Sequence, residues 1–94
     1  MAAFLKDSNS RLDYKVDWAD PDEGPWLAEG EQIVTSTWIV PAGIVKDDED
    51  NTATTATVWL VGGTAGQTYA VTNRIETNQG RVDDRTIKIF VTER

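Results

Sequence analysis

From Thr54 to Val91 the chain alternates apolar and polar residues with a period of two. Tyr69, Val71 and Ile75 take one parity, and Thr72, Arg74 and Glu76 the other. Ile87, Ile89 and Val91 then oppose Thr86, Lys88 and an aromatic exception, Phe90. Period-two alternation marks a strand with one buried and one wet face. Asn78-Gln79-Gly80 joins the two runs as a hairpin loop. Upstream, Ala56, Val58 and Leu60 form an aliphatic side against Thr55, Thr57 and Trp59, which predicts a third strand with Trp59 facing outward, either as a partner contact or under a loop such as the one carrying Trp26. The three strands in succession read as a β-meander. Gly62-Gly63-Thr64-Ala65-Gly66 is too long for a tight hairpin and suits a crossing between sheets of the Greek-key kind.

The first half adds two strands. Over Arg11–Trp18 the alternation is complete, with Leu12, Tyr14, Val16 and Trp18 against Arg11, Asp13, Lys15 and Asp17. Over Glu31–Val40 the parity switches between Ile33 and Trp38, which predicts a β-bulge near Thr35-Ser36. Pro41 then ends the ladder because it has no amide hydrogen. Two prolines and two glycines between Ala19 and Gly30 exclude a regular element, and Trp26-Leu27 is an apolar plug that either caps the core or stands out as a contact. Five strands without a helical period predict an all-β, antiparallel sandwich. Residues 1–10 read as an N-terminal arm, frayed or else docking Phe4 and Leu5 on a neighbour. Residues 11–94 read as one domain.

Composition then narrows the function. The net charge of −7 has the wrong sign for a phosphate backbone, and Arg74, Arg81 and Arg85 are interleaved with Glu76, Asp83 and Asp84, so no nucleic-acid partner is expected. The charge reads as a device for solubility and against self-association. No apolar run approaches the ~20 residues of a membrane helix, and no membrane partner is expected. The first residues lack the pattern of a signal peptide, which predicts synthesis in a cytoplasm. With no Cys and no His there is no disulfide framework and no usual base for a Ser nucleophile. The pairs Asp13 with Asp17 and Asp83 with Asp84 lie on a wet face and at a strand start, not in a cleft that raises a carboxyl pKa. The run Asp47-Asp48-Glu49-Asp50-Asn51 fails the EF-hand pattern, with Thr52 at the sixth place and Val58 at the twelfth, and reads as a solvated acidic loop. No catalytic residue, metal or cofactor is expected. Four tryptophans in so short a chain point instead to core and interface, and outward aromatics mark a partner surface. The candidate interface residues are Phe4, Leu5, Trp26, Trp59 and Phe90.

Several blocks together carry a resemblance. Lys6–Trp18 (KDSNSRLDYKVDW), Ile33–Gly43 (IVTSTWIVPAG), Ala56–Tyr69 (ATVWLVGGTAGQTY), Val71-Thr72-Asn73 and Gly80–Arg85 resemble, in order, the tailed-phage fiber–tail adaptor and Ig-like phage structural domains. Ser8 stands where that family has Pro, and the Asp20–Gly24 and Asp47–Asn51 segments look like insertions. The resemblance implies an immunoglobulin or fibronectin-III type sandwich. It implies a non-enzymatic virion protein in several copies near the tail, linking fiber or baseplate subunits. Domains of this kind also serve as head-decoration or neck proteins. A sugar-binding adhesion module is the rival of another class, and it requires aromatic rings in a row on one face. Tyr69, near the start of its strand, is placed for a tyrosine corner, with its hydroxyl bonding back to backbone.

Overall fold

The computed structural model describes residues 2–7, 10–20 and 26–92. They form seven strands: β1 (Ala2–Asp7), β2 (Arg11–Asp17), β3 (Ile33–Ile39), β4 (Ile44–Asn51), β5 (Thr55–Gly62), β6 (Thr68–Thr77) and β7 (Val82–Thr92). One sheet runs β1-β7-β6-β3 and the other β2-β5-β4. Every pairing is antiparallel except that of β1 with β7. This is an all-β Ig-like sandwich, as the alternation predicts.

The inner faces follow the parities read from the sequence. Tyr14, Val16, Ala56, Val58 and Leu60 of one sheet meet Val71, Ile75, Ile87, Ile89 and Val91 of the other. Each Val, Leu and Ile among them contributes about 1.5–3 kcal/mol when fully buried, so these alternating positions are what hold the two layers together. Ile33 and Trp38 are both buried although their parities differ, because the register with β6 shifts between Ile33 and Thr35. The bulge therefore sits at Val34, just before the expected Thr35-Ser36.

Three expectations change. The last three strands are not a meander: β6 and β7 pair, but β5 lies in the other sheet between β2 and β4. The glycine-rich connection crosses the sandwich. Gly63 has φ +96°, and a Cβ there would meet Val91 Cγ2 at 2.7 Å, so the crossing needs both the handedness and the bareness of glycine. The acidic run is not a loop but β4, an edge strand paired with β5 on both sides of a register shift at Asp47. Ile44 anchors it inside, and the ladder supplies the rest whatever the side chains prefer. Finally, residues 2–7, read as an arm, form β1, which pairs with β7 from Ala2↔Ile87 to Asp7↔Thr92. The Asp20–Gly24 insertion lies mostly outside the described residues.

The tyrosine corner is present. The Thr64 amide donates to the Tyr69 hydroxyl at 2.9 Å. That bond holds the phenol pKa below its ordinary value. Gly43 lets the β3–β4 turn lie on the ring: a Cβ there would sit 3.0 Å from Tyr69 Cε1.

Candidate docking interface

The outward aromatics lie on the two outer faces of the sandwich, and the structure does not bring them together. Val58 and Leu60 are buried, so the intervening Trp59 emerges on the outer face of the β2-β5-β4 sheet. Its register partners are Asp13 on β2 and Asp48 on β4. The Arg11 guanidinium reaches across β5, 5.8 Å from the Trp59 ring centre, and its Nε donates to Asp47 Oδ2 at 2.5 Å. Phe90 emerges from the opposite sheet and is 39% exposed. Leu5 on β1 and Thr68 on β6 are its register partners. For Leu5 the backbone register alone is described. The row on one side holds Ala3, Lys88 and Ala70, and the row on the other pairs Asp7 with Thr92. Ile39, on the same face of β3, is also exposed.

The other two candidates are engaged within the chain. Phe4 packs on Tyr14 at a ring separation of 5.1 Å. Trp26 meets the fully buried Trp18 edge-on at 5.4 Å, and the Arg81 guanidinium lies over the Trp26 ring, 4.0 Å from its centre, as a cation–π partner. Arg85 covers Trp18 in the same way at 4.3 Å. Trp26 is thus a cap on one end of the core, which is the first of the two placements read for the Trp26-Leu27 plug.

Sequence reasoning missed three polar groups that fix these elements. Glu31 is buried and accepts from Arg81 Nε at 2.9 Å, from Thr77 Oγ1 at 2.6 Å and from the Ala28 amide at 2.9 Å, with a second short bond from Arg81 Nη2. Arg81 first, then Thr77 and the Ala28 amide, holds the carboxyl pKa at about 2. Arg81 Nη2 also donates to the Trp26 carbonyl at 2.9 Å, so one guanidinium ties the β2–β3 connection to the start of β7. Asn73 is fully buried, accepting from Trp18 Nε1 at 3.0 Å and donating to Ser36 Oγ at 2.9 Å. Lys6 is fully buried, and its Nζ donates to the carbonyls of Asp7, Ser10 and Gly62 at 2.8, 2.7 and 2.8 Å. Asn73 alone had a signal in the sequence, as a polar residue at an inward parity. Glu31 and Arg81 are paired only by the fold.

Among the described residues no group of His, Cys, Asp or Glu could hold a metal ion. No helix is long and apolar enough to cross a membrane.

Comparison with curated protein sequences returns no match. Among solved structures, the PKD domain from the KIAA 1837 protein is similar in fold, with a TM-score of 0.51 at 16% identity over 98% of this chain and 79% of that one. The family model described as podophage GP4 fiber–tail adaptor protein gp77 matches residues 6–90. That match takes in every strand but the first residues of β1 and the end of β7. The chain accordingly belongs to the podophage GP4 fiber–tail adaptor family, gp77.

Proposed function

We propose that this chain is a non-catalytic connector of the phage tail, present in several copies, that joins tail to fiber or baseplate subunits by docking alone. The observation that carries this reading is the adaptor-family match over residues 6–90. The sandwich supports it with two outer faces, each presenting one large aromatic, Trp59 or Phe90, for a separate partner. A connector needs two such surfaces. Phe4 and Trp26 serve by holding β1 and the β2–β3 connection in place, and Leu5 stands beside Phe90 in register. The arrangement counts against a sugar-binding platform. Trp59 and Phe90 face opposite ways, and Trp18 and Trp38 are buried, so the described residues show no row of rings on one face.

The test is affinity capture of the phage's own tail and fiber proteins by the purified chain. Wild type is expected to retain both, Trp59→Ala to lose one, and Phe90→Ala to lose the other. Both variants should keep the fold. A fall in melting temperature of roughly 10 °C, on the order of 2 kcal/mol for a domain of this size, would make the ring a structural one instead. A wild-type chain that retains neither class of protein overturns the connector reading.

A further inference from the structure

We infer that the outer face of the β2-β5-β4 sheet is the seat for a cationic segment of a partner protein, with an arginine guanidinium of that segment over Trp59 between Asp13 and Asp48. The inference rests on the connector reading and gives one of its two surfaces a partner chemistry.

The register sets the geometry. Trp59 is on the central strand, with Asp13 directly opposite on one side and Asp48 on the other. Directly opposed residues stand about 4.5–5.5 Å apart at Cβ, so the two carboxylates flank the indole as a cross-strand row. Neither aspartate forms an ion pair among the described residues; the pairs there are Arg11–Asp47, Lys46–Glu49, Arg74–Asp84 and Arg81–Glu31. Asp17 and Asp50 extend the same face, against Lys15 and the already committed Arg11. The face is therefore an aromatic ring in an anionic setting.

The chain shows elsewhere how it seats a guanidinium on indole. Arg81 lies 4.0 Å from Trp26 and Arg85 lies 4.3 Å from Trp18. Arg11 stands off at 5.8 Å, near the outer limit of about 6 Å for such attraction, because Asp47 draws it aside. Trp59 has the most distant guanidinium of the three rings, and it is the one flanked on both sides by carboxylates outside any ion pair, although Asp48 Oδ1 accepts the Glu49 amide at 2.8 Å. The other outer face lacks this combination: Phe90 has Leu5 and Thr68 directly beside it, with Lys88 in the row on one side and Asp7 in the row on the other. A cationic partner is thus drawn to one side of the sandwich only, which would orient the connector. Guanidinium suits the seat better than ammonium because its plane stacks on indole while its edge donates to carboxylates.

The test is a titration of the isotope-labelled full chain with a hexa-arginine peptide, followed by NMR. The Trp59 indole and the Thr57 and Val61 amides are expected to shift first. Affinity should fall steeply between about 0.05 M and about 0.3 M salt. Asp13→Asn with Asp48→Asn should weaken binding about tenfold, as loss of two exposed charge contacts implies. Glu76→Asn, an acid removed from the opposite outer face, should change it by less than about twofold. Equal loss in Glu76→Asn and in the double variant would mean diffuse attraction to net charge and would overturn the seat. Shifts centred on Phe90, salt-insensitive binding or no binding would overturn it as well. If the peptide fails while the chain still captures tail and fiber proteins, the seat falls and the connector stands.

Discussion

At the scale of single residues, the polar groups in the interior do the specific fixing, and Glu31 is the one that pH can address. Its carboxyl is held at about 2 in the folded chain, against an ordinary value of 4.5. Protons therefore bind the unfolded chain first as pH falls. The stability from this contact is complete above pH 4.5 and is lost as pH drops through about 2. Glu31→Gln should lower the melting temperature at neutral pH, and the gap to wild type should close between pH 4.5 and about 2. A gap that stays constant over that window would show that the ion pair with Arg81 is not what Glu31 contributes. Legibility differed from residue to residue here. Asn73 falls at an inward parity on β6, so its burial was readable, though its partners Trp18 and Ser36 were not. Glu31 and Arg81 are far apart in the chain and sit in loops, where no periodicity reports on burial.

At the scale of elements, β1 and β4 are the strands that patterning did not reveal, for opposite reasons. β4 is an edge strand whose acids hide its period, and the same acids guard its open side against pairing with another chain. β1 has too few large residues to show a period, and the buried side chain it shows is a lysine, Lys6. Lys6 acts as a lock: all three of its donors close carbonyls in β1, in the turn after it and at the end of β5. Burial lowers its pKa from the ordinary value, the Asp7 charge opposing. Lys6→Met keeps the length and removes the donors. A buried carbonyl left without its partner costs about 1–3 kcal/mol, so the variant should melt on the order of 10 °C lower. Amides shared by β1 and β7 should exchange with solvent faster, while those between β2 and β5 change least. An unchanged melting temperature would mean that parallel pairing alone holds β1.

At the scale of the whole molecule, the net charge acts on folding and on docking with opposite signs. Crowded aspartates on β2 and β4 repel one another in the folded state. Raising salt from about 0.01 M to about 0.15 M shortens the screening length from about 30 Å to about 8 Å. The melting temperature should rise by a few °C over that range, while binding of a cationic partner weakens. A falling melting temperature would show that the exposed ion pairs Arg11–Asp47 and Arg74–Asp84 outweigh the repulsion. Mutual repulsion also favours the rows around Phe90, where Asp7 on one side is balanced by Lys88 on the other, as the place where a copy or an uncharged partner surface can approach closely.

The sequence by itself determined the fold class, five of the seven strands, their inward and outward faces and the bulge in β3 to within a residue or two. These follow from alternation, which is local because successive side chains of a strand must point to opposite sides. It also placed Trp59 and Phe90 outside and Tyr69 at the corner. The tertiary structure alone decided which strands share a sheet, that the first residues and the acidic run are strands, and that Trp59 and Phe90 face opposite ways. Those depend on hydrogen bonds and ion pairs between residues distant in the chain, and no local period encodes which partner a strand edge or a buried charge will find.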